Sequence, residues 1–238
     1  TKNEYYVKFW SYYNVSMGAC PVTKRESSTE FWLTGGEMTG IVDRQTLSSG
    51  PRPQDKTGEM NMTQWDLSIL DWIQKQFQCA VLDRVMPCIT LLGEAWAVIL
   101  VALVLLAVPR TRKLGLAVAL ALALDGLVCN GILKPLVARP RPYTLREVSL
   151  LIAAPRDYSF PSGHSAAAFA VATALCREKS RGGIPALVLA GVIALSRLYL
   201  YVHYPSDVIC GTILGMICGI FGSILAEKVA EIYKKRQN

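Results

Sequence analysis

FPSGHSAAAFAVATALCREKSRGGIPALVLAGVIALSRLYLYVHYPSD, residues 160–207, contains both histidines of the chain, His164 and His203. Two apolar runs, Ser162–Cys176 and Ile184–Tyr201, flank a hydrophilic turn carrying Arg177, Lys179 and Arg181. Each histidine stands at the end of an apolar run, where a membrane helix would emerge into water. At about 1.5 Å of rise per residue such runs approach the roughly 30 Å of a bilayer core, the shorter ones with help from flanking residues. This alternation decides the fold class: an all-α, polytopic membrane bundle.

Working outward, Ser206–Ala226 is a further apolar run, and Leu114–Leu133 and Met86–Val108 precede the stretch. The expectation is therefore about five transmembrane helices, with Pro87 near the start of the first. Upstream, Gln64–Val81 places Trp65, Leu67, Leu70, Trp72, Ile73 and Phe77 among charged residues, as an amphipathic helix lying in the bilayer interface does. A surface helix packed on the bundle is the alternative. Residues 1–60 have no clear period and end in a Ser-, Gly- and Pro-rich linker, QTLSSGPRPQDK. They are expected to be a poorly ordered or non-native extension ahead of a membrane domain at 61–238. They show no signal-peptide pattern, and Met60 or Met62 would suit a start.

Charge supports this reading. The net charge is +7 and 52% of residues are hydrophobic. Residues 1–60 hold seven basic and seven acidic side chains, so the entire excess lies in the apolar part. Basic clusters at 109–113, 177–181 and 228–236 fall on one side of a five-span chain, which the positive-inside bias makes cytoplasmic. The loops at 134–161 and 197–206 then face outward. No basic stripe with interleaved aromatics is present, which excludes nucleic acid as the expected partner. Seven cysteines without a CxxC pair argue for buried free thiols rather than a disulfide framework or zinc. Gly211, Gly215 and Gly219, with Gly222 beyond, put small residues on one face of the last helix. Packing inside the bundle is the first reading of that face, and a homodimer the second.

The outer loops carry the chemistry. Lys134, Arg141 and Arg197 are three cations at one membrane face, suited to gripping phosphate oxygens. Pro140 and Pro142 hold their loop extended. Ser162 and Gly163 open an apolar helix, whose free amides and dipole favour an anion. Pro205 fits the first turn of the last helix, so Asp207 lies in that turn with His203 just before it. A carboxylate there can accept the proton of one ring nitrogen and leave the other to attack phosphorus. His164, with no carboxylate in its own motif, suits the general acid. No third histidine or acidic cluster points to a metal, so the chemistry is expected to need no metal or cofactor. Any one of these residues alone has a structural or lipid-headgroup explanation. Their arrangement in three ordered blocks does not.

The blocks, Lys134-x6-Arg141-Pro142, Pro161-Ser162-Gly163-His164 and Ser196-Arg197-x5-His203-x3-Asp207, resemble the type 2 phosphatidic acid phosphatase superfamily, over about residues 85–226. The resemblance implies a helical bundle and a phosphohistidine intermediate at His203. It implies that His164 protonates the leaving group and then activates water, while Lys134, Arg141, Ser162, Gly163 and Arg197 bind phosphate. Arg139 lies outside the pattern and is expected to be a loop or headgroup contact. Many lipid-phosphatase members have six spans, and here the charged segment 64–84 replaces the first. The implied activity is hydrolysis of a membrane lipid phosphate or pyrophosphate on the outer face of a bacterial cytoplasmic membrane. Undecaprenyl pyrophosphate ranks first, then phosphatidylglycerol phosphate and phosphatidic acid. The alternatives are a vanadate-dependent haloperoxidase, which long apolar runs disfavour, and a lipid-phosphate binding or transport protein, which would need no nucleophile.

Overall fold

The structure, a computed structural model, describes residues 62–237, so the expectations for residues 1–60 lie outside the described residues. Among the described residues every regular element is helical. The first helix, α1 (Met62–Phe77), turns Asp66, Leu67 and Leu70 inward and leaves Trp65, Ile69 and Trp72 exposed. Leu67 and Leu70 pack against Tyr201 and Tyr204, and Gln74 donates through Nε2 to the carbonyl of Tyr199. The amphipathic helix thus ends at Phe77, four residues before the expected Val81, because Cys79 is extended and a new helix starts at Ala80.

The expected span Met86–Val108 is not one rod. It is divided between α2 (Ala80–Leu91) and α3 (Ala95–Ala107), which bend by 50° at the break. Pro87 lies inside α2 rather than at its start, and the break itself falls at Gly93 and Glu94. A Cβ on Gly93 would meet Ile193 Cγ2 at 2.7 Å and His164 Cδ2 at 3.1 Å, so glycine allows the bend to close against both.

After a 3-10 turn at Pro109–Thr111, α4 (Arg112–Asp125) runs into eight residues of π-helix, Gly126–Leu133, and then the one-turn α5 (Lys134–Val137). Ala138 stops the helix with φ 48°, a left-handed conformation that costs an L-residue about 1–2 kcal/mol. It reverses the chain into Arg139-Pro140-Arg141-Pro142. The remaining helices are α6 (Gly163–Arg177), α7 (Gly183–Tyr199) and α8 (Pro205–Gln237). Pro205 occupies the first position of α8, as expected.

Small residues fill the interior. Ala117, Ala121, Ala166, Ala170 and Ala174 are fully buried, while Leu103, Ile184, Val188, Leu195 and Phe221 are exposed. In water this would be inside out, and in lipid, where close backbone contact rather than burial joins helices, it is the expected order. The glycine face of α8 is taken up by that packing. A Cβ on Gly211 would lie 2.5 Å from Ser162 O, one on Gly215 would overlap Ala166 O, and one on Gly219 would lie 2.7 Å from Ala170 O. Gly222 meets Ala121 of α4 in the same way. These glycines pack against neighbouring helices of the same chain.

About five spans are expected, and among the described residues two or three meet length and apolarity unaided. By length and apolarity the run Pro109–Thr144 and the helix Pro205–Arg236 can cross a bilayer, and the bent α2–α3 pair makes a third span if it counts as one. Helices α6 and α7 have 15 and 17 residues, roughly 22–26 Å, short of a full bilayer core. The thiols also differ from expectation: Cys129 and Cys218 are buried, but Cys79 and Cys88 are exposed. Lys113 pairs with Glu178 at 3.1 Å, so the basic turns at 109–113 and 177–181 share one end of the bundle. The motif residues collect at the other.

Candidate active site

The C-terminal turn of α7 supplies Arg197, 2% exposed, whose Nη1 donates to Thr90 Oγ1 of α2 at 2.5 Å. Its Nε is buried and has no hydrogen-bond partner. A buried N–H without an acceptor is costly, and a phosphate oxygen is a natural acceptor for it. The chain then turns at Tyr201, φ 58°, and places His203 before α8 with 1% of its surface exposed.

His203 is held differently from expectation. Its Nδ1 lies 2.7 Å from the main-chain oxygen of Ser159 and 3.6 Å from Asp207 Oδ2. The proton on Nδ1 therefore goes to the Ser159 carbonyl, and Asp207 acts one step away. Asp207 Oδ2 accepts from Ser159 Oγ at 2.5 Å and from the amide of Tyr204 at 3.0 Å, while its Oδ1 accepts from Arg139 Nη1 at 2.5 Å. The Tyr204 contact is the reach-back half of a capping box, with the carboxylate at the third position of α8. With Nδ1 protonated, Nε2 carries the lone pair and faces Arg141 Nη1 at 3.3 Å. Burial, with further help from the positive charges of Arg197 and Arg141, pushes the pKa of His203 down to about 3 against the opposing pull of Asp207. The ring is neutral at physiological pH, as a nitrogen nucleophile must be.

Arg141, 4% exposed, is fixed by the Pro-flanked loop: Nε donates to the carbonyl of Asp157 at 2.8 Å and Nη1 to that of Val202 at 2.7 Å. Its Nη2 donates to Asp157 Oδ1 at 2.6 Å, and Lys134 Nζ binds Asp157 Oδ2. Asp157 is absent from the sequence motif, yet its half-exposed carboxylate bridges two of the cations assigned to phosphate. Burial works to raise its pKa, but hydrogen bonds from Lys134 and the charge of Arg141 hold it well below the usual carboxylate range. A phosphate taking Lys134 and Arg141 must displace this internal anion.

Ser162 and Gly163 lie where expected, at the start of α6. The Ser162 amide donates to the Asp207 carbonyl at 3.1 Å, which ties the starts of α6 and α8 together. The Ser162 hydroxyl is 3.0 Å from that of Ser165. A Cβ at Gly163 would lie 3.6 Å from Lys134 Nζ, so glycine keeps the ground before the lysine clear. The π-helical stretch ends at that lysine, and π-turns recur at functional sites because they re-aim a side chain by one residue. His164, in the first turn of α6, does have an acidic neighbour: Glu94, at the α2–α3 break, brings Oε1 to 3.3 Å from Nε2. The two are at ion-pair distance without hydrogen-bond alignment.

Every motif residue therefore gathers at one end of the bundle, and Asp66, Thr90, Glu94, Arg139, Asp157 and Ser159 join them. Arg139 is no surface contact. It stacks over the Tyr204 ring at 3.8 Å and spans from Asp207 to Asp66, whose Oδ2 it meets at 2.7 Å. One sequence signal was available for Asp66, an acid beside Leu67 on the same inward face as Leu70.

The PAP2 superfamily matches residues 112–230, half of the chain. The chain belongs to the PAP2 superfamily. It is 32% identical over 162 residues to an undecaprenyl-diphosphatase of Sulfolobus acidocaldarius, a match spanning 67% of this chain and 78% of that one. It is 32% identical over 141 residues to the undecaprenyl-diphosphatase BcrC of Bacillus subtilis, covering 59% and 72%. Among solved structures it is similar to the transmembrane PAP2 type phosphatidylglycerolphosphate phosphatase of Bacillus subtilis, with TM-score 0.59, 28% identity and coverage of 72% and 89%. This PAP2 protein is a membrane phosphatase, and the PAP2 match begins at α4. Helices α1 to α3, which carry Asp66, Thr90 and Glu94, precede that match, while the alignments to the relatives are longer and reach upstream of it.

Proposed function

We propose that this phosphatase hydrolyses the terminal phosphate of undecaprenyl pyrophosphate through a phosphohistidine at His203, on the outer face of the cytoplasmic membrane. The observation that carries the chemistry is the placement of His203: proton on Nδ1 toward Ser159 O, and Nε2 3.3 Å from Arg141 Nη1. Once Nε2 bonds to phosphorus, the same guanidinium is in reach of the equatorial oxygens, which Lys134, the free Nε of Arg197 and the first amides of α6 can also hold.

In the first step Nε2 attacks the terminal phosphorus and the bond to the bridging oxygen breaks. His164, protonated, gives its proton to the departing lipid phosphate. In the second step water attacks the phosphorus and neutral His164 takes its proton. The P–N bond breaks, its electron pair returns to Nε2, and inorganic phosphate leaves. Glu94 steadies His164 while it is charged. The cations carry the anionic load without a metal, so a chelator is expected to change the rate little.

The choice of lipid rests on the two undecaprenyl-diphosphatase relatives, and the choice of face on the basic turns at the opposite end of the bundle. The deciding experiment is phosphate release by detergent-purified protein from undecaprenyl pyrophosphate, phosphatidylglycerol phosphate, phosphatidic acid and glucose 6-phosphate, with His203→Ala alongside. Undecaprenyl pyrophosphate should lead by at least about tenfold in kcat/KM. A different leader overturns the substrate, and turnover by His203→Ala overturns the nucleophile.

A further inference from the structure

Asp66 lies outside the family-matched residues, on a helix expected only to rest at the membrane surface, and it is 5% exposed. Both of its carboxylate oxygens are engaged at the start of α8. Oδ1 accepts from the Ser206 amide at 3.1 Å, satisfying one of the amides a helix start leaves unpaired. Oδ2 accepts from the Ser206 hydroxyl at 2.5 Å and from Arg139 Nη2 at 2.7 Å.

From Arg139 the contacts run to the nucleophile without a gap: Nη1 to Asp207 Oδ1 at 2.5 Å, Asp207 Oδ2 to Ser159 Oγ at 2.5 Å, and Ser159 O to His203 Nδ1 at 2.7 Å. A guanidinium is a rigid planar fork, so anchoring Nη2 on Asp66 and its face on Tyr204 fixes where Nη1 points. Charge adds a second reason. Asp66, Arg139 and Asp207 together carry one net negative charge beside His203, whose ring becomes positive as Nε2 bonds to phosphorus. Removing the charge of Asp66 leaves Arg139 and Asp207 to cancel, and the developing imidazolium loses its counter-charge.

We infer that Asp66 is a positioning residue for catalysis, orienting Arg139 and the start of α8 so that Asp207 and Ser159 hold His203 for attack. The inference rests on His203 being the nucleophile. It makes α1 part of the catalytic apparatus although the PAP2 match begins at α4.

The test compares Asp66→Asn, Arg139→Gln, the two combined, Ser206→Ala, Gln74→Ala and His203→Ala, all as full-length protein in detergent, on the best substrate of the panel above. Each is assayed below its own melting temperature. Asp66→Asn should lower kcat about tenfold with KM within about twofold, the scale of one charge-assisted hydrogen bond in a buried network. Adding Asp66→Asn to Arg139→Gln should cost less than about twofold more, because the two act in series. Gln74→Ala removes the bond from α1 to the Tyr199 carbonyl without touching the relay, so it should lower the melting temperature and keep kcat. Ser206→Ala, a milder cut in the same anchor, should lower kcat about threefold and serves as the reading if Asp66→Asn does not fold. Unchanged kcat in Asp66→Asn or, failing that, in Ser206→Ala overturns the inference, as do additive losses with Arg139→Gln. Turnover by His203→Ala would instead overturn the assignment beneath it.

Discussion

His203 Nδ1 is bonded to the main-chain oxygen of Ser159 at 2.7 Å, and the Asp207 carboxylate stands 3.6 Å away. A backbone carbonyl therefore sets the tautomer of His203, and the carboxylate sets the position of that carbonyl through the Ser159 hydroxyl. The difference has measurable consequences.

Replacing Asp207 should be less damaging than replacing the nucleophile. His203→Ala is expected to reduce kcat by more than about 10⁴-fold and to abolish phosphoenzyme. Asp207→Asn keeps the Ser159 carbonyl on Nδ1, so steady-state assays should show a loss of about 10–100-fold. Equal losses in the two variants would return the direct proton contact to Asp207.

His164→Ala should lower kcat by about 10²–10⁴-fold while leaving substrate affinity within a few-fold, since the group moves protons and does not hold phosphate. Single-turnover measurement of lipid phosphate release would show the first step slowed. Loss of substrate binding instead would make His164 a phosphate ligand.

Asp157 engages Lys134 and Arg141, the two cations proposed to bind phosphate. Asp157→Asn removes the competing charge, and inorganic phosphate should then inhibit at least about tenfold more strongly at neutral pH, given about 1.5–3 kcal/mol for hydrogen bonds to charged groups. Product-inhibition constants give the answer directly. Weaker inhibition would make Asp157 a support for the cations rather than a rival for them.

The buried His203 ring sets a sign for pH dependence. Its folded pKa of about 3 lies below the ordinary value of 6.5. Between those values the unfolded chain binds the extra proton, so this group lowers stability as pH falls from about 6.5 toward 3 and contributes no change above it. Melting in detergent should accordingly drop between pH 7 and pH 5 in the wild type, and drop less in His203→Gln.

Gly215→Ala places a methyl group against Ala166 O at the α6–α8 contact. Forcing those helices apart should cost about 1–3 kcal/mol, seen as a lower melting temperature, and should separate Ser162 from Asp207 with loss of activity. Gly191, with open space around its Cβ position, is the matched control and should tolerate alanine.

Much of the site was legible before any coordinates because its residues are fixed in spacing by the helices they begin or end. His203 and Asp207 are four apart across the start of α8, and Gly163 and His164 open α6, so local geometry alone places them. Asp157, Asp66 and Glu94 carried no such mark. A lone acid in a loop, on an amphipathic helix or at a bend has several ordinary uses, and nothing local shows which cation it meets. The bend at Glu94 was hidden for a related reason: Met86–Val108 is apolar except for Thr90 and Glu94, and composition does not record where a helix changes direction.

The sequence by itself determined an all-helical membrane chain with its basic turns at one end and its motif residues at the other, and marked His203 as the proposed nucleophile. Those follow from apolar run length, charge placement and spacing along single helices, all local properties. Tertiary structure decided that Ser159 rather than Asp207 receives the His203 proton, that Arg139 ties α1 to the site, and that Asp157 contests the phosphate cradle. Each of these joins residues 16 to 73 positions apart, and such contacts depend on how α1, the Pro-flanked loop and α8 close on one another in three dimensions.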